Sequence, residues 1–396
     1  MRNNKSGYYT DENRRVRRER PVGRRRGVAD GVADMVMLVV TIVAALTLLA
    51  AILAKVIDPR SASLFAFAGL MYQVVWLVNL GCALWWAARW NRWVAISIVA
   101  LLIGWGNMKL FYRSDLRQKP EEVVRGREDV VVASFNVKGF AGTEVDKGGY
   151  DEVGALLNRE GATIACLQEA YYYNEERRDY FYDKADRLKY RLFVNSIPEQ
   201  KGATTGGGFS ILSSYPIVRH GVADEDENNI NAIWADLRVG RDTLRVVNAH
   251  LQSTGITEEE RTETLTTQVI GDTLASTKLS AVAVKMMDNY RLRASEADNI
   301  ASFVASSPYP VVLCGDFNDP PVSYTYRRMK GRKLVDSFVE KGRGTEYTFK
   351  GLYNLFRIDY ILPEEEYFEV KEYHSVDSLL TSDHKPVVAR LALIEE

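Results

Sequence analysis

The spacing of apolar and polar residues changes character near residue 113. Before that point the apolar positions have no period. Met35 to Ile57 is an almost unbroken apolar run with Lys55 near its far end, Leu64 to Ala87 is a second run without a charge, and Trp93 to Tyr112 is a third with Lys109 near its end. Each holds about 20 residues or more, enough to cross a hydrocarbon layer of ~30 Å. Trp76, Trp85, Trp86, Trp90, Trp93 and Trp105 lie in or beside these runs, several near the ends where an aromatic belt falls. A soluble bundle would need polar faces that the runs lack. A signal peptide would be shorter, closer to the start and unaccompanied. The pattern predicts a transmembrane region over 35–112, with three helices at about 35–57, 64–87 and 93–112. Gln73 and Asn79 suit helix-to-helix hydrogen bonds. With no intramembrane acid and no repeat, the region reads as an anchor and not a transporter.

Beyond Asp129 the apolar runs become short and β-rich: Val130–Asn136, Thr163–Leu167, Arg191–Asn195, Gly208–Leu212, Ala232–Leu237, Thr243–Ala249, Val311–Leu313, Ile358–Leu362, Phe368–Tyr373 and Val387–Leu393. Helical patterns intervene at about 150–160 and 258–305, the latter long enough for two helices. So many strands with so few helices predict an α/β domain over 128–396, two packed sheets with helices outside. The charged stretch 113–127, with Pro120, reads as a linker.

Charge divides the chain further. Residues 1–27 hold 10 Lys and Arg against 3 Asp and Glu, residues 28–119 hold 8 against 4, and residues 120–396 hold 33 against 45, a balance of −12. The arginine-rich segment 1–34 reads as a disordered, cytoplasmic basic tail that sets topology. Arg89 and Arg92, in the second short loop, fall on the same side, so three crossings place the C-terminal domain on the extracytoplasmic side. Cys82, Cys166 and Cys314 sit in apolar runs without metal-ligand spacing and read as small buried hydrophobes.

Candidate chemistry gathers at the ends of the predicted strands. Ser134-Phe135-Asn136 ends in an amide, Leu167-Gln168-Glu169 in a carboxylate and Asn248-Ala249-His250 in an imidazole. Gly315-Asp316-Phe317-Asn318 sets an acid and an amide two residues apart, on one side of an extended chain. Arg357-Ile358-Asp359-Tyr360 and Ser382-Asp383-His384 add two acids and a second imidazole. Singly each is a turn cap, a surface charge or a satisfied core histidine, which is also the reading for His220 and His374. Six strand ends carrying only Asn, Glu, His and Asp are a catalytic pattern: such groups hold a divalent cation, orient a water and contact a phosphate oxygen.

In this order the motifs resemble the endonuclease/exonuclease/phosphatase superfamily, over about residues 128–394. The resemblance implies a deoxyribonuclease I-like four-layer sandwich of two mixed β-sheets flanked by helices, and a hydrolase acting on phosphate esters. It further implies a Mg²⁺ or Mn²⁺ ion held at Glu169, with Asn136 assisting and Asp383 completing the acidic region. By the same resemblance Asp316 orients or deprotonates the attacking water and Asn318 holds a phosphate oxygen. His384, fixed by Asp359, contacts the phosphate, and His250 is the second imidazole; the residues leave open which is acid and which is base. Gly207 to Ile217 resembles a structural stretch of the superfamily, and no Gly-Lys-Ser/Thr follows to make it a nucleotide loop.

The expected protein is a membrane-anchored, divalent-metal-dependent phosphoesterase that meets a lipid bilayer through three helices, with no protein partner indicated. Its substrate, a phosphodiester or a phosphomonoester, is a lipid, a nucleic acid or a small molecule. The alternatives are a membrane-tethered nuclease and a non-catalytic phosphate-binding scaffold. The charge of −12 argues against general polyanion binding, although Arg327, Arg328, Lys330, Arg332 and Lys333 form a local basic run. Filled motif positions argue against the scaffold. Tyr171, Tyr172 and Tyr173 either pack a loop or line the site's rim.

Overall fold

The computed structural model describes residues 28–114, 129–141, 147–200, 202–254, 273–351, 354–377 and 381–394. Residues 1–27, most of the expected linker and the start of the expected helical pair after Glu258 lie outside the described residues.

The N-terminal apolar segment folds as α1 (Val28–Leu53), α2 (Pro59–Ala62), α3 (Leu64–Leu70), α4 (Tyr72–Ala88) and α5 (Val94–Met108), ending in the short strand β1 (Tyr112–Arg113). The expected three transmembrane helices are not what forms. Among the described residues α1 is the one single helix long and apolar enough to cross a membrane, and α3 with α4 is apolar and long enough only as one broken span. The second run breaks at Met71, where α3 and α4 meet at 70°. The third supplies 15 helical residues, about 22 Å at 1.5 Å per residue and short of a hydrocarbon layer. The breaks have local causes. Asp58 and Pro59 start a new helix, the Asp58 carboxylate accepting from the Arg60 N–H, and Met71 leaves helical geometry at φ −90° and ψ 11°. An orientation counted from three crossings loses its basis with them.

The remainder forms a sandwich. One sheet has six strands in the order β12 (Phe368–Ser375), β13 (Val387–Leu393), β2 (Val130–Asn136), β3 (Ile164–Tyr172), β5 (Gly206–Ser213), β4 (Tyr190–Asn195). The other has five: β11 (Asp359–Pro363), β9 (Val311–Asp316), β8 (Asp242–His250), β7 (Ile230–Val239), β6 (Ile217–Glu225). β2 shows why the layers form. Its alternate residues Val130 and Val132 join the core between the sheets, while Val131, Ala133 and Phe135 join the core under the helices. A strand buried on both faces reads as an unbroken apolar run.

Helices α6 (Gly148–Arg159) and α7 (Glu175–Lys184) cover the six-stranded sheet through Tyr150, Val153, Leu156 and Phe181. Helices α8 (Thr273–Ala305) and α9 (Tyr324–Lys330) cover the other through Ala297, Ile300, Tyr326 and Met329. The result is the expected four-layer order, helix, sheet, sheet, helix. A last helix, α10 (Ser337–Lys341), is capped by the Asp336 carboxylate.

Each sheet is mixed because each holds one parallel pair at or near its centre: β2 with β3, and β8 with β9. The pairs are bonded across the interface, where the buried Gln168 amide donates to Asn248 Oδ1 at 2.6 Å and the Asn248 amide donates to the carbonyls of Leu167 and Ser210. Their C-terminal ends therefore finish beside each other.

Candidate active site

Register brings the polar strand ends together. Within the first parallel pair Asn136 lies opposite Gln168, one residue before Glu169; within the second, His250 lies opposite Asp316. β11 then enters antiparallel with Asp359 opposite Asp316, and the His384 segment leads into β13 beside β2. Gly315 makes the β8–β9 approach possible. It adopts φ 139°, and a Cβ there would stand 1.8 Å from the Ala249 carbonyl oxygen.

Backbone irregularities aim the side chains. The pairing of β3 with β5 shifts between Leu167 and Ala170, and Glu169 inside that bulge has φ 49°. A bulge re-aims a side chain that the pleat would otherwise send elsewhere. Asn318 sits at φ 52°, and Lys138 at φ 45°. Non-glycine residues in this region carry strain that concentrates at functional sites.

The expected residues converge. The Asn136 amide donates to Glu169 Oε1 at 2.9 Å and to Asp316 Oδ2 at 3.1 Å. His250 Nε2 lies 3.5 Å from Glu169 Oε1 and 3.7 Å from Asp316 Oδ2. His384 Nε2 approaches the same Asp316 oxygen at 3.6 Å, while its Nδ1 faces the Asp359 carboxylate at 3.1 Å. The Asn318 N–H donates to Asp316 Oδ1 at 2.8 Å, and its amide donates to the Leu251 carbonyl at 2.8 Å. Asn318 in this arrangement braces the loop of Asp316. Asp383 stands slightly apart, its carboxylate paired with Lys138 at 2.8 Å.

Burial and charge set the protonation states. Burial disfavours the charged form of His384, but the carboxylates of Asp359 and Asp316 outweigh it and push its pKa up to about 10. Burial raises Asp359 to about 6, against the pull of the His384 charge. Burial also opposes ionisation of Asp383, yet the Lys138 ammonium beside it holds that carboxyl below its usual range.

Several supporting contacts join distant segments and were not read from the sequence, although Ser382 and Arg357 belong to its motifs. Thr348 Oγ1 accepts the N–H groups of Ile358 and Asp359 at 3.0 Å each, fixing the start of β11. Ser382 Oγ donates to the Asn136 carbonyl and accepts the His384 N–H, tying the two segments. Arg357, fully buried, is bidentate to Asp336 at 3.1 and 2.6 Å. Lys138, two residues after Asn136, was also legible in principle, as a cation beside a strand-end amide.

Glu169 and His250 open into a cleft of about 610 Å³, walled also by Lys138, Tyr171, Tyr173 and Gln252. Both readings of the tyrosine run hold: Tyr172 is core, whereas Tyr171 and Tyr173 are 40% and 42% exposed on the rim. The basic run from Arg327 to Lys333 does not line this cleft. His374 is paired with Glu160 at 3.0 Å, away from the site. Met286, Met287 and Tyr290 belong to one long helix, α8, with Tyr290 buried.

The donor set can be tested against a metal. Asp316, Asp359 and His384 bring ligand atoms within 4.8 Å of one another, but all three are buried and the imidazole is committed to Asp359. Glu169 is the half-exposed carboxylate, 44% open to the cleft and oriented by Asn136. A hard cation that keeps several waters fits Glu169 better than the closed imidazole-bearing trio.

A family model described as the endonuclease/exonuclease/phosphatase family matches residues 133–384. A second, described as a domain of unknown function, matches residues 34–111. No curated protein matches the chain. Similar solved structures include an endonuclease/exonuclease/phosphatase from Beutenbergia cavernae, 18% identical over 67% of this chain and 72% of that one, with a TM-score of 0.46. The human Nocturnin catalytic domain with bound sulfate is 18% identical over 68% of this chain and 96% of that one, with a TM-score of 0.45. A mannosyl-6-phosphatase from Bacteroides thetaiotaomicron is 16% identical over 66% and 99%, with a TM-score of 0.42. Because the first model spans more than half of the chain, the protein belongs to the endonuclease/exonuclease/phosphatase family.

Proposed function

We propose that the protein is a divalent-metal-dependent phosphoric ester hydrolase held at a lipid bilayer by its N-terminal apolar module. One observation carries the hydrolase reading. A single buried carboxylate oxygen, Asp316 Oδ2, is approached by Asn136, His250 and His384 at 3.1 to 3.7 Å, beside the half-exposed Glu169. Such a cluster is unfavourable to bury without a task, because charges removed from water need partners beyond one another.

In this reading Glu169 holds Mg²⁺ or Mn²⁺, with Asn136 orienting its carboxylate and Asp383 nearby through Lys138. Bound there, the ion supplies charge neutralisation at the phosphate. Asp316 orients the attacking water and takes up its proton. His384, kept protonated by Asp359, presents a positive N–H toward a phosphate oxygen. His250, between two carboxylates and open to the cleft, is placed for proton transfer at the leaving oxygen. Asn318 braces Asp316 from behind. The cleft has the volume of a small-molecule site.

The membrane part rests on α1, whose apolar side chains Met35, Val39, Val43 and Leu46 are exposed along its length. The test uses the full-length protein with and without Mg²⁺ on a sphingomyelin-like phosphodiester, plasmid DNA and a phosphomonoester, with Glu169→Ala as control. Metal-dependent turnover of one class, absent in the control, is the expected result; a folded protein that turns over none of the three counts against hydrolysis. Carbonate extraction of native membranes decides the anchor: retention in the pellet supports it and release removes it.

A further inference from the structure

The loop after β9 has two faces. On one it carries Asp316 and Asn318. On the other, Val322 is buried in the apolar module, packed with Leu48, Ala51, Tyr72 and Phe111. Gly69 of α3 lies so close that an added Cβ would meet the Val322 carbonyl oxygen at 2.6 Å and the Ala54 Cβ at 2.7 Å. A second contact runs through α8, where the Phe67 ring of α3 meets Tyr290 edge-on at 5.3 Å between centroids. The Tyr290 ring in turn lies 5.2 Å from the Arg293 guanidinium carbon. Arg293 is fully buried. Its Nε donates to the Gln252 carbonyl at 2.7 Å, and its Nη1 faces the Asp319 carboxylate at 3.4 Å. Gln252 lies two residues past His250 in the cleft wall, and Asp319 follows Asn318. One buried cation thus joins the two segments that carry His250 and the Asp316–Asn318 pair, and the ring behind it rests on the module. Around the junction, Arg60 of α2 and Arg328 of α9 share the Asp298 carboxylate, and β1 pairs with β10 (Gly344–Thr345).

We propose that the apolar module is a positioning element of the catalytic centre. Through Val322, and through the line Phe67–Tyr290–Arg293, it holds residues 250–252 and 316–322 in the geometry hydrolysis needs, so the packing of the module around Val322 and Tyr290 sets turnover. The kinetic half of this rests on the hydrolase reading; the structural half does not. A buried guanidinium has few places to go, and a close-packed junction passes a displacement on because it has no slack to absorb one. Misplacing a reacting group by about 1 Å costs up to ~10²-fold in rate.

The experiment compares Gly69→Ala with two matched controls in the same module, Gly81→Ala and Gly106→Ala, whose added methyl groups meet nothing within 4 Å. Each full-length variant is assayed for kcat and KM, and by hydrogen–deuterium exchange over 250–254, 316–323 and the core strands β2 and β13. Gly69→Ala is expected to lower kcat by about 10-fold or more with KM little changed. Exchange should quicken at 250–254 and 316–323, with β2 and β13 as protected as in wild type. Phe67→Leu should act in the same direction more mildly, and the controls should match wild type. Gly69→Ala indistinguishable from its controls, or protection lost equally in β2 and β13, overturns the proposal. Quickened exchange at the two site segments in a protein that hydrolyses no ester still supports the positioning role while removing the hydrolase reading.

Discussion

The sandwich and the apolar module bury polar groups in opposite ways. In the module they are few and scattered, and several meet a single neighbour: the Tyr72 hydroxyl donates to the Gly104 carbonyl, the Asn79 amide to the Ala44 carbonyl, and the Trp86 indole to Thr41 Oγ1 at 2.8 Å. In the sandwich, Asp316, Asp359 and His384 are buried together at one edge with charges that only partly offset. Scattered satisfied groups fix how helices pack. Concentrated charges cost folding free energy, and they persist where they serve chemistry.

The sharpest break of that comparison is Asp316→Asn, which keeps the shape and the acceptor for the Asn318 N–H but removes the charge. Turnover should fall by about 10³-fold or more, since the water loses its acceptor. Thermal unfolding should shift by a few degrees at most, because Asp359 loses a like-charged neighbour while the Asn136 amide loses an acceptor and His384 a counter-charge. A drop in melting temperature matching the loss of activity would make Asp316 a structural group.

Not every buried charge in the sandwich lies at the proposed site, and Asp336→Ala separates the kinds. It strands Arg357, fully buried against Asp336. Breaking a buried pair from one side costs about 3–5 kcal/mol, so urea unfolding should show a loss of that size. A loss under about 1 kcal/mol would mean that Arg357 finds water or another acceptor.

The placement of the candidate residues was legible because unbroken apolar runs and the polar residues that close them are both local: Asn136, Glu169, His250 and Asp316 each follow such a run. What was not legible depends on contacts between distant segments. Strand β6 (Ile217–Glu225) escaped because it is a half-exposed edge, with Arg219 and His220 in solvent and no alternation to find. The bulge that turns Glu169, the Thr348 hydroxyl behind Asp359, and the pairing of Asp383 with Lys138 all arise from pairing and loop geometry. Over the module, apolarity specified what the residues touch but not the direction of the chain. Asp58-Pro59 was a visible helix start, whereas the bend at Met71 is announced only by Gly69 two residues before it, a residue that helices also tolerate.

A smaller effect tests how the edge charges hold each other. Burial is the largest influence on His384 and pulls its pKa down; Asp359 is the first of the carboxylates that reverse it. In Asp359→Asn the imidazole should titrate lower, read by nitrogen NMR, and the alkaline limb of kcat/KM should move to lower pH. The sign for stability follows. A histidine raised from 6.5 to about 10 on folding contributes stability fully present below pH 6.5 and lost as pH climbs through 10. The variant should flatten that decline between pH 6.5 and 10. An unchanged limb would assign it to another group.

The smallest effect belongs to the module and closes the comparison from the other side. Thr41→Val keeps the branched shape of a fully buried side chain but removes the oxygen that the Trp86 indole N–H reaches at 2.8 Å. A buried donor left without its acceptor costs about 1–3 kcal/mol, so unfolding in detergent should come a few degrees earlier. Thr41 and Trp86 lie toward the end of the module where Arg89 meets Asp34, and neither belongs to the set packed around Val322. Turnover should therefore stay at the wild-type value while stability falls. A fall in kcat as large as that of Gly69→Ala would show that any loosening of the helices reaches the site. The Val322 and Arg293 contacts would then be one route among many, and the contrast between a packing region and a reacting edge would lose its sharpness.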